Sequence, residues 1–511
     1  MIEVHYKSED TVDLDSPLYR KLSEAHRRLF DKDTTIWGPN AADEASVRMD
    51  WIDLPDESRG LLAQLDALFA KHKHLTNVIL CGMGGSSLGP EVIAATFGKE
   101  IFVLDSTDPN YISHSLTTDW NKTLVVVSSK SGSTIETASQ KGFFESCFEK
   151  AGLNKTDHMI IVTDPNSPLD IVSREAGLTV VHANPNVGGR FSVLGAFGLV
   201  PAALIGIDVS VILDSASETK DSLVGDPHPA LLAAYAILTG TDQYFSLCDE
   251  NSGMPGLSDW IEQLVAESTG KSGVGRLPIV LNRATDSVAG NQLSVTFSGE
   301  SDLVISGDLG SQFFFWEWIT SLICAGLSID PFNQPNVQES KLASSSLLDQ
   351  WNNSLPDLGN HKTEGSITYF QDSPSLENLL TSFLQSITAD GYLGVMAYLD
   401  RQVDADIREL RNVLATKISK PVTFGWGPRF LHSTGQFHKG GQNNGSFLQV
   451  TAEFEEDYAI PGKKFTFGTL IMAQAIGDQN ALEGRGLKTL RLHLLDRRAG
   501  IKELLEITKK L

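Results

Sequence analysis

Between Asn77 and Val181 the chain alternates short β-rich runs with helix-compatible segments: Asn77-Val-Ile-Leu-Cys81, Ile101-Phe-Val-Leu-Asp105, Thr123-Leu-Val-Val-Val127, Met159-Ile-Ile-Val162 and Leu178-Thr-Val-Val181. Strands spaced by helical segments imply crossover connections, hence an α/β fold with a parallel sheet wrapped by helices. The first sixty residues read as a helical preamble, because Leu18, Leu22 and Leu29 recur near helical spacing between Ser16 and Lys32.

A second α/β series is expected after Ile207 to Leu213 and the polar stretch Ser215 to Pro229. Its strands are Tyr244 to Cys248, Leu277 to Leu281 and Asp302 to Ser306, with an apolar helix near Phe313 to Ile323. Ser344 to Ser373 reads as a long connection. Pro421 to Gly425, Phe447 to Thr451 and Thr489 to Leu494 are the strands of a last unit, with a helix from Leu470 to Ala481. The expected division is 1–60 preamble, 61–225 first lobe, 226–420 second lobe and 421–511 C-terminal extension.

The 511 residues carry 41 Lys and Arg against 64 Asp and Glu, a net charge of −23. That field repels nucleic acid and anionic membranes, so an anionic ligand needs a local cluster of cations, hydroxyls and backbone N–H groups. Cys81, Cys147, Cys248 and Cys324 are far apart, without metal-ligand or redox spacing, as expected of reduced thiols. Met1 to Asp10 hold no basic region followed by an apolar core, and no run approaches the ~18 apolar residues of a membrane span. The expectation is a soluble, unexported, cytoplasmic protein with neither nucleic acid nor membrane as partner.

Three segments are candidates for the chemistry. Gly82-Met-Gly-Gly-Ser-Ser-Leu-Gly89-Pro follows the first strand and leads into a helix. Such a turn brings backbone close to a ligand and aims helical N–H groups at an anion. A dinucleotide site would want glycine at Ser87, although Asp105 stands near the place of a ribose-binding acid. A nicotinamide site, another phosphate or sugar site and a plain tight turn all remain open for it. After the Thr123 to Val127 strand, Ser128-Ser-Lys-Ser-Gly-Ser-Thr134 gathers five hydroxyls and a lysine within seven residues, in outline a phosphomonoester cradle. The alternative is an N-cap with a polar loop. Ala266-Glu-Ser-Thr-Gly-Lys271 is not a P-loop, since Val265 replaces the first glycine and Trp260 to Ala266 reads as helix. Its carboxylate is either a general base or an exposed helix-terminal Glu.

Together these loops resemble the phosphoglucose isomerase family. Gly82 to Pro90 is similar to its Gly-x-Gly-Gly-Ser-x-Leu-Gly-Pro signature, Val187-Gly-Gly-Arg190-Phe-Ser to its Val-Gly-Gly-Arg-Tyr-Ser motif, and Ala266 to Lys271 to its Glu-Ser-x-Gly-Lys segment. Pro331-Phe-Asn-Gln334-Pro-Asn-Val-Gln-Glu-Ser-Lys341 is similar to its Phe-Asp-Gln-x-Gly-Val-Glu-x-x-Lys segment. The resemblance implies two sugar-isomerase (SIS) type parallel-sheet lobes and reversible isomerisation of glucose 6-phosphate to fructose 6-phosphate through a cis-enediol, with no cofactor and no metal. It implies that Ser129, Ser131, Thr134 and Thr137 hold the phosphate with Lys130 nearby, and that Gly85, Ser86 and Gly189 line the sugar. Glu267 becomes the proton-shuttling base, Arg190 the stabiliser of the enediolate, and Gln334 and Lys341 complete the pocket, Lys341 near the ring oxygen. A homodimer is expected on the same ground. The chemistry suits these residue types, since aldose–ketose exchange needs one carboxylate and one cation facing the oxyanion.

One departure stands out: the family's ring-opening histidine is absent, because no histidine lies between His228 and His361; Phe313 or the region of Arg283 takes its place. A replacement is offered by Gly427-Pro-Arg-Phe-Leu-His432-Ser-Thr-Gly-Gln-Phe-His438-Lys-Gly-Gly441, which resembles the isomerase half of transaldolase–phosphoglucose isomerase fusions. His438, or else His432, is expected to open the ring, with Lys439 adding positive charge. The other reading is a structural loop. A transaldolase barrel needs roughly 250 further residues, so that activity is not expected. The rival functions are a non-catalytic sugar-phosphate sensor and a nicotinamide-dependent enzyme.

Overall fold

The alternating runs of residues 77–181 form one parallel sheet in the computed structural model, which describes residues 2–116, 119–240, 243–289, 292–351, 355 and 359–511. The strands are β1 (Glu3–Tyr6), β2 (Asn77–Gly82), β3 (Phe102–Leu104), β4 (Thr123–Ser128), β5 (Met159–Thr163), β6 (Thr179–His182), β7 (Tyr244–Cys248), β8 (Leu277–Val280), β9 (Leu293–Thr296), β10 (Leu303–Ser306), β11 (Lys362–Glu364), β12 (Ile367–Tyr369), β13 (Tyr392–Ala397), β14 (Val422–Trp426), β15 (Gly445–Ala452) and β16 (Lys488–Leu494). Backbone contacts divide the chain into two units. One comprises Met1–Asp105, Thr117–Ala284 and Leu293–Gln334, the other Ser106–Leu116, Thr285–Gln292 and Pro335–Leu511.

The first unit holds two sheets. In the order β3-β2-β4-β5-β6 every pair is parallel. Every residue of β4 and β5 is buried, as expected where helices cover both faces of a parallel sheet. Strand order reverses at β2, whose neighbours are β3 on one side and β4 on the other, so the carboxyl ends of β2 and β4 flank a switch-point crevice. The second sheet runs β1-β10-β9-β7-β8, parallel except for β1. Pro278 lies in β8, an edge strand, where its missing N–H leaves no ladder bond unmade.

The helix expected near Leu18 to Leu29 spans Pro17–Phe30, its first turn capped by Ser16, whose hydroxyl accepts from the Tyr19 N–H at 3.2 Å. The preamble is not wholly helical, however: β1 closes the second sheet by antiparallel pairing with β10. The polar stretch after Leu213 is a helix, Ser210–Gly225, which buries Ile212, Leu213, Ala216 and Leu223. It packs close to the apolar helix Leu309–Leu327, since a Cβ on Gly310 would lie 1.9 Å from the Ile212 carbonyl oxygen.

The second unit has one sheet, β11-β12-β16-β15-β13-β14, parallel from β16 to β14 with the β11–β12 hairpin on one edge. One face is an aliphatic core of Leu393, Val395, Val422, Leu448, Val450, Leu490 and Leu492. The expected boundary at 420 is not seen as a break: β13 hydrogen-bonds to both β14 and β15, so residues on either side of it share one sheet. The connection Ser344 to Ser373 contains the end of a helix, Val337–Trp351, and the β11–β12 hairpin, while its residues 352–354 and 356–358 lie outside the described ones. Among the described residues no helix is long and apolar enough to cross a membrane. All four cysteines are free thiols, Cys81, Cys248 and Cys324 buried and Cys147 half-buried.

Candidate active site

At the carboxyl end of β2 the chain turns tightly through Gly84–Ser86 before the helix Leu88–Thr96. Gly84 has φ +56°, left-handed backbone that favours glycine. Gly85 is required for a different reason: a Cβ there would lie 2.0 Å from the Gly189 carbonyl oxygen. The glycine-rich turn and the Val187 to Arg190 loop therefore touch backbone to backbone, bringing Gly85, Ser86, Gly189 and Arg190 together.

Beside it, at the carboxyl end of β4, runs the serine-rich loop. Ser129 is buried, and its Oγ accepts from the Gly132 N–H at 3.1 Å. The Ser131 and Ser133 hydroxyls share a hydrogen bond of 2.7 Å. Thr134 is the N-cap of the helix Ile135–Lys150, yet its side chain makes no capping bond, so the simple N-cap explanation of this loop does not hold. The Ser128 and Thr137 hydroxyls are buried without a partner, a cost that a bound acceptor would remove. Lys130 is turned aside: its ammonium is 2.6 Å from Asp164 and donates to the Pro185 carbonyl at 3.1 Å. Its charge is thus matched within the protein.

Glu267 lies in the last turn of the helix Leu257–Thr269 and is 6% exposed. It is therefore not an exposed helix-terminal carboxylate. Gln263, one turn earlier, donates to its Oε2 at 3.2 Å, and Arg190 Nη1 stands 3.2 Å from its Oε1. Gln263 was missed in the sequence, although its i, i+4 spacing to Glu267 places both on one helix face. Arg190 is itself buried and makes four hydrogen bonds: Nε to Ser268 Oγ (2.9 Å), Nη1 to Gln334 Oε1 (3.3 Å), and Nη2 to the carbonyls of Pro331 (2.6 Å) and Asn333 (3.1 Å). The guanidinium thereby ties the Val187 to Arg190 loop, the Glu267 helix and the Pro331 to Gln334 segment into one constellation. Lys271, also unanticipated, donates to the Asp330 carbonyl; burial, and then the Arg190 charge, push its ammonium down to about 7.

Lys341 and both candidate histidines belong to the second unit. Lys341 is exposed on the helix Val337–Trp351. His438 is buried, its Nδ1 2.7 Å from the Tyr392 hydroxyl and its ring packed against Tyr392, Phe430 and Phe447. Burial, and then the Lys439 charge, push its pKa well below the usual histidine range, so the imidazole is neutral. His432 is half-buried at the end of the short helix Arg429–His432. Phe313 is core, edge-on to Trp260 at 4.8 Å.

A family profile described as phosphoglucose isomerase matches residues 66–232. The chain is 36% identical over 247 residues to a glucose-6-phosphate isomerase of Citrifermentans bemidjiense, covering 43% of this chain and 46% of that one. It is 31% identical over 261 residues to a glucose-6-phosphate isomerase of Thermus thermophilus, covering 49% and 60%. The chain spans about half the length of the curated relatives it matches. A crystal structure of a glucose-6-phosphate isomerase from Chlamydia trachomatis superposes with TM-score 0.54 at 18% identity, over 68% of this chain and 88% of that one, which shows a shared fold.

Proposed function

We propose that this chain acts as a phosphoglucose isomerase, interconverting glucose 6-phosphate and fructose 6-phosphate through a cis-enediol. The observation that carries the reading is the Glu267 carboxylate held between Gln263 and Arg190, the latter on a loop that touches the glycine turn beside the serine-rich cradle. Ser129, Ser131, Thr134 and Thr137 hold the phosphate, the unpartnered Thr137 hydroxyl being one donor in waiting. Lys130 shapes this loop through Asp164 rather than meeting the phosphate itself. Gly85, Ser86 and Gly189 line the sugar.

Glu267 moves one proton between C2 and C1. As C2–H or C1–H breaks, negative charge grows on the adjacent oxygen, and a buried guanidinium stabilises it far better than water does. Nη1 holds the longest of the Arg190 hydrogen bonds, that to Gln334, and is the nitrogen most readily shared with an oxyanion. Lys341 near the ring oxygen rests on the resemblance alone, and His438, or else His432, as ring-opening group on the histidines, lysine and glycines gathered in the Gly427 to Gly441 loop. A neutral imidazole at His438 can accept the anomeric hydroxyl proton but has none of its own charge to give. Cytoplasmic residence and a homodimer belong to the same proposal.

The test is fructose 6-phosphate turnover, coupled to a glucose-6-phosphate dehydrogenase, in wild type and Glu267→Gln side by side. Turnover that falls by at least about 10³-fold in the variant is expected, since the amide cannot take the proton. Wild type that binds sugar phosphate without turning it over would leave the sensor reading in place.

A further inference from the structure

The His-rich loop has a job that its histidines do not explain. Its helix Gly435–Gly440, together with the helix Phe467–Gly484, grips the helix that carries Lys341. Asn336, just before that helix, donates its backbone N–H to Gln436 Oε1 at 3.0 Å and accepts from Gln436 Nε2 at 2.8 Å. Glu339 receives the fork of Arg485, whose Nε donates at 2.8 Å while Nη1 donates to the Lys439 carbonyl at 2.6 Å. Ser340 donates to Asp478 Oδ1 at 2.9 Å, and the same oxygen is 2.7 Å from the Lys439 ammonium. Both members of that ion pair are almost wholly buried, at 1% and 0% side-chain exposure.

The helices also meet at small residues. A Cβ on Gly477 would lie 2.8 Å from the Ser344 nitrogen, so only glycine there permits the approach that puts Asp478 against Ser340. Three successive polar anchors, at 336, 339 and 340, therefore end one residue before Lys341, and two of them lead directly to Lys439 or its carbonyl. A helix held this way cannot rotate or slide without breaking the fork of Arg485 on Glu339 and pulling Ser340 away from the buried Lys439–Asp478 ion pair.

We propose that Gln436, Lys439, Asp478 and Arg485 are positioning residues that fix the helix Val337–Trp351 and thereby the place of Lys341 in the reaction. This rests on the reading of Lys341 as a residue of the isomerase pocket.

The experiment compares Lys341→Met, Arg485→Glu, Ser340→Ala and the charge-swapped pair Glu339→Arg with Arg485→Glu in the full chain. It measures kcat and KM for fructose 6-phosphate, the melting temperature, and protection of the fold by inorganic phosphate. The expected result is a kcat loss of at least tenfold in Lys341→Met and Arg485→Glu, a smaller loss of two- to fivefold in Ser340→Ala, and KM within twofold. The charge-swapped pair should recover at least half of the Arg485→Glu loss, with phosphate protection unchanged throughout. Low kcat in Lys341→Met beside normal kcat in Arg485→Glu and Ser340→Ala overturns the positioning role alone. Normal kcat in Lys341→Met overturns the assignment of Lys341, and the positioning role with it. Should Arg485→Glu fail to fold, Ser340→Ala decides by the same kcat criterion.

Discussion

Arg190→Lys keeps the positive charge and removes the fork, so it separates the two. The guanidinium serves Ser268, Gln334, Pro331 and Asn333 by hydrogen bonds and Glu267 by an ion pair, from three nitrogens pointing in different directions. A lysine ammonium has three donors on a single nitrogen, so at least two of these contacts are lost. At about 1.5–3 kcal/mol for each hydrogen bond to a charged group, the loss amounts to roughly 3–6 kcal/mol. That agrees with the ~3–5 kcal/mol typical of breaking a buried ion pair. Urea unfolding followed by circular dichroism measures this directly. The same variant should lose about 10²–10³-fold in turnover, the usual effect of removing one directed donor from an oxyanion. A variant destabilised by less than about 1 kcal/mol and within about threefold of wild-type turnover would refute the reasoning, because surface-like effects of that size need no fork.

Gly85→Ala places a methyl group 2.0 Å from the Gly189 carbonyl, against backbone on both sides, so the two loops must part. The expected outcome is loss of measurable turnover with the melting temperature lowered, and an active variant would mean that the loops separate without consequence. Lys271→Met tests a pH dependence. Below about pH 7 the lysine is protonated in folded and unfolded chains alike, and the cost of burying its charge is fully present. As pH rises from 7 toward the usual lysine range the folded chain gives up its proton first, so wild-type stability climbs over that window and the methionine variant should show a flatter profile. Unfolding free energies at pH 6.5, 8 and 9.5 with equal slopes for both proteins would refute it. His438→Ala removes a buried ring packed between Tyr392, Phe430 and Phe447, so a stability loss of about 3 kcal/mol or more is expected. Turnover of the cyclic substrate that stays unchanged would remove His438 from ring opening.

What the sequence made legible was what repeats locally. The runs that became β2 to β6 are short, apolar and separated by helix-compatible segments, and the glycine and serine loops fall at the carboxyl ends of β2 and β4, where a parallel sheet collects ligands. Glu267 as a base was carried by the family resemblance, since Ala266 to Lys271 alone could not tell a buried carboxylate from an exposed one. Contacts made across the chain were not legible. Lys130 looks like a free phosphate ligand until Asp164, thirty-four positions on, is seen to hold it. The β11–β12 hairpin escaped because β11, Lys362–Glu364, is wholly exposed and polar. Gly477 reads as an interruption in a helix until Ser344 appears against it.

The pairing of β1 with β10 has a consequence for how the chain is made. Residues 3–6 hydrogen-bond to residues 303–306 in antiparallel register. At synthesis rates of ~5–20 residues per second the strand waits roughly 15–60 s for a partner to emerge from the ribosome. It does so with an alternating half-polar surface rather than an apolar one, which leaves little on it for another chain to stick to. The pairing is among the most non-local in the first unit, and on loop-closure grounds it belongs to the late events of folding. The second sheet is therefore complete only after the nascent chain has carried its own edge strand, unpaired, through the synthesis of about three hundred residues.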